Sequence, residues 1–490
     1  MEATNISNFF HCSPMLFGSA VISFIFLIWT VYGALRHPLA HLPGPKISKW
    51  TNLRLQYSVL KGDRVRYIHQ LHEIYGPVVR ISPSEVSIAE LSAVKTIYKV
   101  GSPYVKSSWY AFFTGDQEQL NLLTHTDPHA HSVLRRLVAY NFSEKWIKNL
   151  EPFISNNVKL AISRIADDVQ TNGYSDVFKW FTFMATDVIG EASFGKSFHM
   201  LDTGKKNQYI KDLENVAVRG MLRSEFPLLT KALAYIPWID SNNIQRSAER
   251  GKEYSRELID KYWAQLKADP DNVKPTLITK EFAAVEDGSL TPAQLQSDGA
   301  VYIVAGTDTT AATATNVVWR LAHHRDIEEA LIREVSSLPK SFTDEDLRPL
   351  KLLNNVITET LRLLPPVGQS LPRVVPEGGA QLGGWHIPQG TIVGVQAWTM
   401  HRKSDIWTDP EEFDPSRWNN PSKDMLNSYY PFGGGSRVCI GSHFALLELR
   451  HAIANFYRTF QKRFRKEEME PITYFLTLPS GKRCMIKDRK

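Results

Sequence analysis

Phe432-Gly433-Gly434-Gly435-Ser436-Arg437-Val438-Cys439-Ile440-Gly441 decides the reading of this chain. The stretch fits F-x-x-G-x-R-x-C-x-G at every fixed position. With average residue usage, a chance match in a chain this long is on the order of one in ten thousand. The residue types suit metal chemistry at a single cysteine. A thiolate donates strongly to iron, and N–H groups of a glycine loop can point at the sulfur and tune it. A helix from about Ser442 would add the positive end of its dipole. Gly435 and Gly441 would let the backbone pass close to a flat macrocycle, behind Phe432 at the start of the loop. Arg437 can reach an acidic group on that macrocycle as a charge-assisted pair. The alternative is a small buried residue in a glycine loop.

Further upstream, Thr291 is a good N-cap, Pro292 suits the first helical position and Gln294 completes a capping box. Apolar and small residues run on to about His324. The pattern predicts one helix of roughly 50 Å across the whole body. Its middle holds Ala305-Gly306-Thr307-Asp308-Thr309-Thr310. Glycine and consecutive threonines lower helix propensity, and such a local conflict marks a functional site. A polar stripe on a partly buried helix is the other reading. Helical periodicity dominates elsewhere. Val78–Ile81 and Glu85–Ile88, separated by Pro83, read as a hairpin, and Gly384–Pro388 with Thr391–Val395 as another. The expected fold class is mainly α with a small β-sheet portion.

With these motifs in place the chain resembles the cytochrome P450 family over nearly all of its length. Ala305–Thr310 satisfies the family pattern A/G-G-x-D/E-T-T/S in full. The resemblance implies haem b held by the Cys439 thiolate. It implies that Ala305 and Gly306 border a groove for dioxygen, that Thr309 hydrogen-bonds there and holds a water, and that Asp308 feeds protons inward. Glu359 and Arg362, three apart on one helix face, would form a buried structural triad with Arg417 of Pro415-Ser416-Arg417-Trp418. Arg373, in Pro372–Pro376, and Arg135, in His131–Arg136, are implied partners of the haem propionates beside Arg437. His131 stands where members often carry Trp, and it can donate to a carboxylate.

The implied reaction inserts one oxygen atom from dioxygen into an apolar small molecule, hydroxylation first. Desaturation, epoxidation and oxidative ring coupling are open to the same site. A reductase-independent isomerase and a non-catalytic haem-binding protein are the readings from other classes. No flavin domain or dinucleotide glycine motif is present in the sequence. The expected electron donor is therefore an NADPH–cytochrome reductase, or a cytochrome b-type protein, meeting basic residues such as Arg136, Lys145 and Arg450. By family topology the pocket walls come from residues 109–113, 301–305, 367–371 and 475–478. Leu371–Gly379 resembles microsomal enzymes of filamentous fungal secondary metabolism, which implies a polyketide, terpenoid or alkaloid scaffold.

The remaining features concern location and class. Met15–Leu35 is uncharged and mostly apolar, which meets the length for a membrane-spanning helix. Arg36, Lys46, Lys49 and Arg54 follow it, and by the positive-inside rule they leave the body in the cytosol. The expectation is a luminal tail and transmembrane anchor over 1–36, a proline-rich hinge over 37–50 around Leu42-Pro43-Gly44-Pro45, and a haem-thiolate catalytic domain over 51–490. The location would be the endoplasmic reticulum membrane, single-pass, with lipid as a partner and the sequon Asn5-Ile6-Ser7 in the lumen. The net charge is +6 with 22% charged residues, and no basic tract is dense enough to suggest nucleic acid. Three scattered cysteines, Cys12, Cys439 and Cys484, make neither a disulfide framework nor a zinc site.

Overall fold

Caps and glycines set where the helices of this computed structural model start and stop. The structure describes residues 36–114, 120–233, 241–269, 273–460, 463–464 and 469–487, with single positions or short runs between 19 and 33. Eight helices carry the site. Helix α1 is Pro128–Ala139, opened by Asp127, whose carboxylate accepts the Ala130 N–H at 2.6 Å. Helix α2 is Glu151–Asn172 and α3 is Val177–Phe194. Both stop at a left-handed glycine, Gly173 and Gly195. Then come α4 (Gln208–Glu225), α5 (Ser241–Ala268), α6 (Pro292–Ala322), α7 (Lys351–Leu363) and α8 (Ser442–Thr459).

Helix α6 is the predicted long helix, and its 31 residues begin with the predicted capping box. The Thr291 hydroxyl accepts the Gln294 N–H at 3.2 Å, and Gln294 Oε1 accepts the Thr291 N–H at 3.1 Å. Helix α3 lies against it so closely that glycine is required at the contact. A Cβ on Gly306 would sit 2.8 Å from Ile189, and one on Gly299 would sit 2.9 Å from Phe194. Helix α8 packs on the same core, which contains Val317, Val318, Leu321, Ala452, Ile453 and Phe456, all buried.

The main sheet has five short strands: β1 (Val78–Arg80), β2 (Glu85–Ile88), β3 (Val105–Lys106), β4 (Arg373–Val374) and β5 (Ile392–Gly394). Their order is β1-β2-β5-β4-β3. The first expected hairpin is present, with Val79 opposite Ser87. The second is corrected. Trp385–Ile387 pairs backward with Ala380–Leu382 through a two-residue turn at Gly383 and Gly384, whose φ angles are +56° and +79°. That is the left-handed turn a tight hairpin favours. Ile392–Gly394 instead joins the main sheet, parallel to β2 and antiparallel to β4. A mainly helical chain with small sheets is therefore as expected.

The expected transmembrane helix, and the single-pass endoplasmic-reticulum membrane location built on it, do not stand: among the described residues, no helix is long and apolar enough to cross a membrane. Most of positions 1–35, the sequon included, lie outside the described residues. The proline-rich segment packs on the sheet. The Arg80 N–H donates to Pro43 O at 2.8 Å, and the Ser48 hydroxyl donates to Arg80 O at 2.8 Å. Leu39 and Leu42 are buried there.

Candidate active site

The cysteine loop is fixed by backbone geometry before any side chain contributes. The Cys439 N–H donates to Phe432 O at 2.8 Å, closing the loop. Gly435 has φ +60°, and a Cβ there would meet Tyr98 O at 2.1 Å. Its glycine thus serves close packing on the Tyr98–Lys99 backbone, where the sequence suggested clearance for a macrocycle. Gly441 is the residue against the sulfur: its N–H points at Cys439 Sγ, one residue before α8 begins. The thiol carries exposed surface, yet that surface faces an internal cavity of about 1540 Å³. Burial pushes the thiol up from its ordinary value, while the Gly441 N–H and Arg135 pull it down.

Across the cavity stands the middle of α6. Ala305 exposes its surface to the cavity, and Thr309 returns its hydroxyl to Ala305 O at 2.6 Å. Asp308 also borders the cavity; burial and the Glu214 charge raise its carboxyl to about 6, against Lys206 and Lys482. Gly306 lies in this wall, but its missing side chain faces Ile189, so its smallness admits α3. All four expected wall segments contribute, through Trp109, Val301, Leu371 and Phe475 among others. Helix α4 adds Leu213, Val216 and Met221. No motif announced α4; only its amphipathic pattern was available.

A cluster of cations lies where the loop, α1 and the sheet edge meet. Arg135 donates to Val438 O at 2.9 Å and Arg437 to His125 O at 3.0 Å. Arg373 is buried, and its Nε finds no partner. The sequence reading missed Lys106. It is 6% exposed, sits directly opposite Arg373 in the β3–β4 ladder and donates to Leu123 O at 2.5 Å. Like charges at directly opposed positions destabilise a sheet. Burial, then Arg437, Arg373 and Arg135, hold the Lys106 ammonium well below its ordinary value. Burial and Arg373 lower Arg437 to about 10. His131, also buried, is lowered to about 3 by burial and then by Arg437, Lys106 and Arg135. The donated bonds go to carbonyl oxygens, and Asp127 is the carboxylate whose charge acts on Arg437. Such a set fits a group bearing two carboxylates at its edge.

Below the loop, opposite charges pair directly. Arg362 grips Glu359 with two bonds of 2.8 Å, and both side chains are fully buried. Arg417 and the Trp418 indole reach the same carboxylate at 3.0 and 2.9 Å. Of the expected docking cations, Arg136 and Lys145 are exposed. Arg450 is not available: it is buried against Asp344 at 2.6 and 2.8 Å.

A cavity-facing cysteine, an acid–threonine pair opposite it and a carboxylate-seeking rim define a haem-thiolate enzyme. Comparison with known proteins agrees. The pattern described as Cytochrome P450 matches residues 42–484, and the chain belongs to that family. It is 40% identical to the cytochrome P450 monooxygenase tazI of Aspergillus terreus, over 95% of this chain and 97% of that one. It is also 40% identical to the cytochrome P450 monooxygenase orf2 of Aspergillus niger, over 93% and 94%. The azaI monooxygenase of Aspergillus niger is 37% identical, over 84% and 94%. The protein is a fungal haem-thiolate monooxygenase whose cofactor is haem b with a cysteine thiolate ligand. It works with an electron-donating partner and a small-molecule substrate.

Proposed function

We propose that this protein hydroxylates a sizeable, mostly apolar scaffold of secondary metabolism, a polyketide, terpenoid or alkaloid, in a catalytic unit spanning residues 51–490. The observation that carries this reading is the cavity between Cys439 and α6, large enough for a multi-ring molecule. One atom of dioxygen enters the substrate, and the other leaves as water with a pair of electrons and a pair of protons. Haem supplies the redox chemistry when bound.

The chain's own residues do the rest. Cys439 is the iron ligand, and the Gly441 N–H tempers its sulfur. Arg135, Arg373, Arg437 and Lys106, with His131 behind them, hold the propionates. Asp308, raised to about 6, takes protons from the side of Lys206 and Glu214 and passes them inward. Thr309 holds a proton at its hydroxyl and, turning from Ala305 O, can donate it into the cavity. Trp109, Phe113 and Phe475 pack ring against ring at one wall and exclude water from an apolar substrate. Electrons come from an NADPH–cytochrome reductase meeting the face that exposes Arg136 and Lys145.

The test begins with the compound that accumulates when the gene is deleted from its host. That compound is incubated with the purified protein, NADPH and a fungal reductase under labelled dioxygen. One labelled oxygen in the product is expected. Turnover without NADPH and reductase, or a product without label, would overturn the reading.

A further inference from the structure

Two carboxyls away from the cysteine loop have no cation to meet. Glu281, on the short helix Thr279–Glu286, and Asp298, on α6, are both 0% exposed. Tyr302 donates to Glu281 Oε1 at 3.3 Å, and the Leu122 N–H donates to Asp298 Oδ1 at 3.0 Å. The other oxygens, Glu281 Oε2 and Asp298 Oδ2, meet no donor. Yet the two carboxyls lie within hydrogen-bonding reach of each other. As two anions they would repel in a medium that cannot screen them. A single proton between them satisfies both remaining oxygens at once.

The pair bears on the haem site through one turn. Asn121–His125 is tied to α6 by Leu122 on Asp298 and by the Asn121 side chain, which donates to Ser297 Oγ at 3.0 Å. The same turn offers Leu123 O to Lys106 and His125 O to Arg437. Two of the rim cations therefore take their positions from carbonyls of a turn that Asp298 anchors. We infer that Glu281 and Asp298 share one proton, and that this shared proton pins the Asn121–His125 turn and so positions Lys106 and Arg437 for the propionates. The inference rests on the rim reading given above.

The groups acting on the pair are the Tyr302 hydroxyl from α6, the Leu122 N–H from the turn and the two carboxyls themselves. Burial raises Glu281 well above its ordinary value, and burial raises Asp298 to about 7 against the pull of the Leu122 N–H. The pair therefore keeps one proton between its two carboxyls at neutral pH. Loss of that proton leaves two buried anions and releases the turn.

The test follows haem transfer from the holoprotein to excess apomyoglobin from neutral to alkaline pH. Amide exchange of the 120–125 segment is read beside it. Wild-type release should accelerate at alkaline pH, together with exchange in the turn. Glu281→Gln, which donates without a titrating proton, should lose that acceleration. Asp298→Ala should release haem about tenfold faster at every pH, the scale of one lost hydrogen bond to a charged group. An unaltered alkaline acceleration in Glu281→Gln, or wild-type release in Asp298→Ala, would overturn the inference. Lys106→Ala separates the two layers. If it speeds release while Asp298→Ala does not, the carboxyl pair falls and the rim stands. If Lys106→Ala leaves release unchanged, the rim reading falls and the inference with it.

Discussion

Two clusters of buried charge flank the cysteine loop, and they are built on opposite rules. Beneath it, Glu359 is fully buried and met by Arg362, Arg417, the Trp418 indole and the Asp414 N–H. At the rim, Lys106 sits opposite Arg373 and is lowered by burial and then by Arg437, Arg373 and Arg135, while Lys106, Arg135 and Arg437 bond only to carbonyls. A closed network of opposite charges holds structure by itself. A like-charged set opposed across a strand pair is a cost to the fold that an anionic partner offsets. The contrast separates residues that make the fold from residues that receive the cofactor, although each set includes a buried arginine, Arg362 in one and Arg373 in the other.

The largest expected effect breaks the closed side. Arg362→Ala leaves Glu359 without its two-bond partner in the core and should cost about 3–5 kcal/mol. Thermal melting should show a severe loss, with or without haem; a melt close to wild type would remove the triad from its structural role. On the rim the effect should depend on the cofactor. Arg437→Ala should speed haem release about tenfold, on the scale of one charge-assisted bond, while the haem-free protein melts near the wild-type temperature. Equal damage to both forms would erase the distinction between the clusters.

A finer test uses a sign change. Lys106→Met relieves the like-charge pairing with Arg373 across β3 and β4. It should stabilise the haem-free protein by about 0.5–1 kcal/mol and weaken haem retention. Destabilisation of both forms would contradict that reading. The smallest effect is in the pH response. His131 stays neutral in the folded protein down to about 3, from an ordinary value of 6.5. The unfolded chain then binds the extra proton, so haem-free stability should fall as pH drops from 6.5 toward 3. His131→Asn should flatten that slope, and bound propionates should flatten it too by favouring the charged ring. Denaturation of both forms across that window measures it.

Legibility in the sequence followed distance along the chain. The cysteine loop, the capping box of α6 and the Glu359–Arg362 spacing are local patterns, and each was readable with its chemistry. Lys106 was not. It meets Arg373 only because β3 pairs with β4, a contact that spans most of the chain. The turn at Asn121–His125 was hidden for the same reason. Alternating apolar residues at Thr391–Val395 announced a strand but not its partner, and the adjacent Gly383-Gly384 turn was the overlooked signal. Arg450 read as a surface cation because nothing near it in sequence reveals Asp344. Gly306 and Gly435 stood out as glycines in the motifs, and their neighbours Ile189 and Tyr98, far away in sequence, supply packing reasons that no local pattern carries.

All of these readings turn on the sulfur that faces the cavity. The most direct measurement is the reduced carbon monoxide spectrum of the wild type and of Cys439→Ser. Thiolate ligation gives the wild type the long-wavelength band of its class, and the variant should lack that band while still folding around α6 and the triad. Persistence of the band in Cys439→Ser would mean that another residue binds the iron.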